Sequence, residues 1–280
     1  MNSIAKKNVI THSLQRARGI GRVATIQLED RTRLTTLFQE GCAKIRLPNT
    51  HTGAMEAVLI NTAGGLTGGD QLAWGAEVGP GGHLILTTQA CERSYRSTGD
   101  TAQVETTIRV GENAHLDWLP QETILFAGSK LARRLDVDLG EGATLTAIEA
   151  VLLGRDAMGE DARDALLTDT WRIRRNGRLV HAEATRLSGR DTERDGLSLL
   201  AGCNAFASIV HIAASEDGAQ RLGDRLKADL PQGRGIALSI MGERIVIRAL
   251  AESGLALRRL IVPALVTLAG AGTLPRLWHL

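Results

Sequence analysis

The sequence predicts a mainly β fold, a β-helix or similar β-solenoid of stacked strands with a small α+β appendage at its C-terminal end. Three observations carry that expectation. Short alternations of apolar and polar residues fill most of the chain. A glycine-containing turn pattern recurs three times at a period of about 30 residues, the scale of stacked repeats. The last third then changes to a mixture of strand and helix patterns. The expected division is a solenoid body over residues 1–195 and an α+β appendage over 196–280, packed together as one unit.

Taken in order, "RVATIQLEDRTRLTTLF" reads as a hairpin turning near Asp30. The stretch "NTAGGLTGGD", Asn61 to Asp70, holds Gly64, Gly65, Gly68 and Gly69 and closes on an acid. It is not a phosphate loop. A Walker loop ends in Gly-Lys-Ser/Thr, the G-x-G-x-x-G spacing is absent, and a carboxylate would repel phosphate. The adjoining "QLAWGAEV" alternates with Leu72, Trp74, Ala76 and Val78 on one face, and so is a strand. The echoes are "VGPGGHLI" from Val78, "VGENAHLD" from Val110 and "LGEGATLT" from Leu139. Each ends one alternating run and begins another, as a tight turn between stacked strands does. In the last third, "NAFASIVHIAAS" reads as a strand and "DGAQRLGDRLKADL" as an amphipathic helix stopping before Pro231. "GIALSI" and "ERIVIRAL" are two further strands, followed by a helix from about Glu252. The uncharged stretch from Leu260 to Leu274 is expected to be a buried helix, because it contains Pro263 and falls short of the roughly 20 residues of a membrane span.

The bulk chemistry excludes several classes of function. A formal net charge of +2 and 3% aromatic residues give no electrostatic or stacking case for nucleic acid. In "TWRIRRNGR", Arg172 and Arg174 alternate with Trp171 and Ile173 as on the solvated face of a strand, with a protein-binding face as the sharper alternative. Cys42, Cys91 and Cys203 are far apart and odd in number, which fits a reducing compartment. The start "MNSIAKKNVI" lacks the apolar run of a signal peptide, so a cytoplasmic location is expected. The seven histidines look scattered, and no C-x-x-C, HExxH or G-x-S-x-G is present. Cys91 reads as a packed thiol rather than a nucleophile.

The acids are more informative. In "ATLTAIEAVLLGRDAMGE", alternation puts Glu149 on the face of Leu145, Ala147, Val151 and Leu153, and the opposite face is scarcely wetter. Burying an acid costs several kcal/mol unless it is paired or protonated. Either Glu149 forms an ion pair with Arg155, or it faces an internal polar space with Asp70 and Glu183 of "LVHAEATRL". Carboxylates in such a space attract divalent cations, and without clustered imidazoles or thiolates they hold them loosely.

Four motifs in this order and spacing, "LINTAGGLTGGD", "TTQACERSYRSTG", "LPQETILF" and "LLGRDAMGE", resemble the urease accessory protein UreD (UreH) family. The likeness is strong from Glu56 to Glu160, and "RLSG" at Arg186 and the closing "LPRLW" agree with it. It implies a non-catalytic maturation factor of helical-coil β architecture that binds UreF, through it the GTPase UreG, and apo-urease. It also implies that no cofactor is held tightly and that nickel(II) is in transit through an internal passage. Carried over by motif, Gly64, Gly65, Gly68, Gly69 and Asp70 form a signature turn, and Tyr95, Arg96, Pro120, Gln121, Glu122, Gly154, Arg155 and Glu160 fill the later motifs. The nickel path then takes in Asp70, Glu149 and Glu183, unless Asp70 only caps the turn through backbone N–H groups. The competing reading is a β-solenoid hydrolase with two carboxylates as acid and base. Against it, sugar sites rely on aromatic platforms, and the chain has only four Trp, one Tyr and three Phe.

Overall fold

The computed structural model describes residues 15–50, 52–155, 158–188, 195–197, 199–231 and 235–279. The N-terminal decapeptide, His12 and His51 lie outside the described residues. Strands β1 (Arg18–Leu28) and β2 (Arg31–Gly41) form the expected hairpin, turning through Glu29 and Asp30. Then come β3 (Ala43–Arg46), β4 (Met55–Asn61), β5 (Gln71–Val78), β6 (His83–Thr88), β7 (Glu92–Ser94), β8 (Ala102–Val110), β9 (His115–Leu119) and β10 (Thr123–Leu125). β11 (Lys130–Leu139), β12 (Thr144–Leu153), β13 (Leu166–Arg175) and β14 (Arg178–Leu187) complete the stack.

The coils are parallel. Gln71 stands beside Gln103 and Ala102 beside Leu131, so each coil advances by about 30 residues, as the echoes require. One wall is a seven-stranded sheet in the order β14-β13-β11-β8-β5-β1-β2. The other is built on β4, β6, β9 and β12, and the short β7 and β10 join it, β10 pairing with the end of β12 and with β7. The three echoes are three superimposed turns. In each, the small residue's N–H closes on the first glycine's carbonyl, at 3.0 Å for Gly82, 3.2 Å for Ala114 and 3.3 Å for Ala143. The turns also bond to one another, with Gly111 N to Val78 O and Gly140 N to Val110 O both 2.8 Å. The leucine of each echo lands in one column: Leu84, Leu116 and Leu145 are neighbours in register and wholly buried. Each such side chain contributes roughly 1.5–3 kcal/mol relative to exposure.

The chain then adds β15 (Ala205–Ile212), α1 (Glu216–Asp229), β16 (Ile236–Met241), β17 (Arg244–Ala251) and α2 (Gly254–Leu268). These strands continue the second wall beyond β12, each antiparallel to its neighbour, bringing it to ten strands. Ser215 and Ser253 cap the two helices. Ala219 and Leu226 of α1 and Leu257, Ile261 and Leu265 of α2 pack on Ile148, Ile209 and Ile247, across the outer face of that wall. β12 is therefore covered on both faces, which explains its near-continuous apolar run. The expectation of a helix from Leu260 to Leu274 is half corrected: α2 begins earlier and stops at Leu268, with Pro263 inside it. No helix among the described residues is long and apolar enough to cross a membrane.

Candidate functional site

The four motifs, spread along a hundred residues of sequence, meet at one corner of the solenoid. Leu66 bridges to Ser94, β7 pairs with β10, and β10 pairs with the end of β12. The Tyr95 hydroxyl donates to Gly64 O at 3.1 Å, and its ring meets Phe126 edge-on at 5.0 Å. The Arg155 guanidinium lies 4.6 Å over the same Phe126 and holds Glu160 at 2.7 Å. Two glycines are dictated by this stacking. A Cβ on Gly65, at φ +141°, would stand 2.4 Å from the Tyr95 ring, and one on Gly154, at φ +79°, would stand 1.7 Å from Glu160 O. Arg96 bridges to Ser129 on the same corner. Beyond buried Pro120, the Arg258 side chain of α2 grips both Gln121 and Glu122, at 2.6 Å to Glu122. Burial works to raise the Glu122 carboxyl, and Arg258 holds it below its ordinary value. Burial, with the Glu122 charge beside it, pushes the Cys91 thiol up to about 11, which suits a packed thiol. The closing "LPRLW" docks here too, through Trp278, whose Nε1 donates to Leu119 O at 3.0 Å.

Asp70 closes the signature turn of Gly64, Gly65, Gly68 and Gly69. Its two oxygens accept the backbone N–H groups of Thr67 at 2.7 Å and Ala17 at 2.8 Å. Among the described residues no hydrogen bond or ion pair joins it to Glu149 or Glu183.

Glu149 does face the space between the two walls, and its partner is not Arg155. The expected Arg155 pair is corrected: Gly154 turns the chain out of β12, so Arg155 reaches Glu160 at the surface. Glu149 instead meets Arg133 from the opposite wall at 2.5 Å and accepts from Trp118 Nε1 at 2.9 Å. Arg133 also bonds Asp169 at 2.5 Å and Thr123 at 2.9 Å. One guanidinium thus serves two buried acids. Burial, with Asp169 nearby, pushes the Glu149 carboxyl up against the pull of Arg133. Ser208, the ladder partner of Glu149, donates to Glu183 at 2.6 Å. Glu183 also meets half-exposed Arg248 at 2.9 Å and lies 3.5 Å from His181. Burial opposes ionisation of Glu183, and nearby His181, the Ser208 hydroxyl and the Arg248 charge bring its pKa below the ordinary value.

The expectation of scattered histidines is corrected for a pair on the outer face of the same wall. His83 and His115 are register partners on β6 and β9, their rings 4.7 Å apart and edge-on. Each Nε2 is 2.9 Å from a different oxygen of Asp117. The imidazoles hold the wholly buried Asp117 well below the usual carboxylate range, although burial works the other way. Ligand atoms of the three residues lie within 4.8 Å of one another. The signal was in the echoes: "GGHLI" and "NAHLD" place their histidines at the same repeat position.

The sequence profile of the UreD urease accessory protein family matches residues 17–279. The chain belongs to the UreD urease accessory protein family. It is 58% identical over 280 residues to the urease accessory protein UreD of Chelativorans sp., covering all of both chains. It is 47% identical over 273 residues to the UreD of Rhizobium rhizogenes, covering 95% of this chain and 96% of the relative. Against the UreD of Agrobacterium fabrum it is 46% identical over 272 residues, 95% of this chain and 92% of the relative. UreD proteins form a family of non-catalytic accessory proteins, and the hydrolase alternative falls on that ground.

Proposed function

We propose that this protein acts in urease maturation: it scaffolds UreF, and through it UreG, on apo-urease and passes nickel(II), as cargo, through the space between its two walls. What carries the passage is the run of polar groups from Glu149 through Ser208 to Glu183 and the half-exposed Arg248 at the rim. Two acids on one guanidinium leave negative charge in a low-dielectric interior, where attraction for a divalent cation is strong. Asp70 enters the path only if the ion displaces a backbone amide from its carboxylate. The scaffolding role is supported by the β1–β2 hairpin, which presents Ile26, Leu28, Leu34, Leu37 and Phe38 to solvent, an apolar edge suited to a protein partner.

The test is urease matured with Glu149→Gln and with Glu183→Gln, read by its nickel content and activity beside a UreF pull-down and a melt of each variant. The expected result is a several-fold loss of nickel loading with partner binding and melting temperature retained. Normal loading with both variants removes the passage. Lost pull-down with intact nickel transfer removes the scaffold.

A further inference from the structure

We propose that His83, His115 and Asp117 form a binding site for one divalent first-row transition-metal ion on the outer face of the second wall. The site does not depend on the interior passage, because β9 turns Asp117 away from the space that Glu149 faces: Leu116 and Trp118 point inward, and Asp117 between them points outward.

Three observations converge. The first is the donor set. Two imidazole nitrogens and one carboxylate suit zinc, copper, iron or nickel and discriminate against magnesium and calcium, which prefer oxygen. The second is geometry. Both Nε2 atoms lie 2.9 Å from Asp117 oxygens. Donors bound at about 2.1 Å and subtending about 90° at an ion are separated by about 3 Å, as each imidazole–carboxylate pair already is, and no two donors on one ion exceed about 4.2 Å, so the three groups, within 4.8 Å of one another, close by several tenths of an ångström to share it. The third is charge. Asp117 is wholly buried, and its polar partners are the two imidazoles and the Gly270 N–H at 3.3 Å. A buried carboxylate without a permanent cation is costly. An ion shared with two neutral imidazoles supplies that cation.

The surroundings orient the donors as metal sites usually require. His115 Nδ1 contacts Thr144 Oγ1 at 2.5 Å, which turns Nε2 toward Asp117. Thr144 occupies the same repeat position one coil further on, so His83, His115 and Thr144 form a single row across the coils. The histidine side chains are 20% and 16% exposed, giving the ion an approach from solvent while Asp117 forms the floor.

The test uses the tag-free full chain, stripped with chelator and titrated with nickel chloride, zinc chloride and magnesium chloride under equilibrium dialysis. The variants are His83→Gln and His115→Gln, which keep a donor toward Asp117, with Glu77→Gln, an exposed acid of β5 on the other wall, as a control. One saturable nickel or zinc ion per chain is expected, weakened at least about tenfold in either histidine variant and unchanged in the control. Magnesium should not compete. X-ray absorption of the nickel-loaded wild-type chain should show imidazole donors, and it decides the matter if the variants do not fold. No saturable binding by the wild-type chain, equal binding by both histidine variants, or a spectrum without imidazole would overturn the site. None of these outcomes bears on nickel transfer through Glu149 and Glu183, which the urease loading assay reads separately.

Discussion

Two buried carboxylates sit on neighbouring strands of one wall and face opposite ways. Glu149 of β12 points between the walls, and Asp117 of β9 points out beneath the C-terminal segment. Inside, the counter-charge is Arg133, a guanidinium that is charged at every accessible pH. Outside, it is a pair of imidazoles that carry charge only when protonated or when an ion joins them. The difference teaches how a solenoid assigns chemistry to its faces. A repeat position that points inward is committed to neighbours from the opposite wall. One that points outward collects equivalent residues from successive coils, and those are free to recruit something from solution.

The comparison breaks most sharply at Arg133. Arg133→Met leaves Glu149 and Asp169 buried together without a cation, and such a loss typically costs about 3–5 kcal/mol. The urea midpoint should fall accordingly, measured at neutral pH. Asp117→Asn is the matching change outside. It keeps the shape and leaves the two imidazoles facing an amide, so the metal-free chain should lose about 1–3 kcal/mol, the range for disrupting a buried hydrogen-bonded group. Equal midpoints for the two variants would mean that the permanent charge of Arg133 does not distinguish the faces.

Most of the fold was legible because it repeats. Gly79, Gly111 and Gly140 start equivalent turns, and Leu84, Leu116 and Leu145 follow at a fixed offset, so one pattern read three times fixed the coil length and the inward face. Alternation placed Glu149 correctly. Its partner was illegible, since Arg133 comes from the other wall and nothing local in sequence signals a contact across the core. Arg155 was the near neighbour, and the bend at Gly154 sends it outward. Arg258 likewise reaches Gln121 and Glu122 from a helix more than a hundred residues away. The histidine pair is different. His83 and His115 were visible in the echoes, but a search for motifs along the chain, rather than down the repeat, reads them as separate residues.

The smallest expected effect is also the most diagnostic. Glu149→Gln keeps the side chain's shape and one acceptor oxygen, and it leaves Arg133 in a one-to-one pair with Asp169. In acid, where the Glu149 carboxyl is itself protonated, the swap weakens one of two bonds, from Trp118 or Arg133, at a cost of about 1 kcal/mol. At neutral pH the relief of repulsion between two acids adds stability to the variant. The pH dependence should change in sign-definite fashion. Burial raises the folded-state pKa of Glu149 above its ordinary 4.5, so above that pH the native chain retains a proton that the unfolded chain has released. Stability contributed by the protonated carboxyl is present below the unfolded value and lost as pH rises through the folded one. Between about pH 5 and pH 8 the wild-type midpoint should fall more steeply than that of Glu149→Gln, and the two curves should converge toward acid. Parallel curves would mean that Glu149 is ionised throughout. Arg133 would then outweigh burial, and Glu149 and Asp169 would both stay charged on one guanidinium, with no proton released across this range.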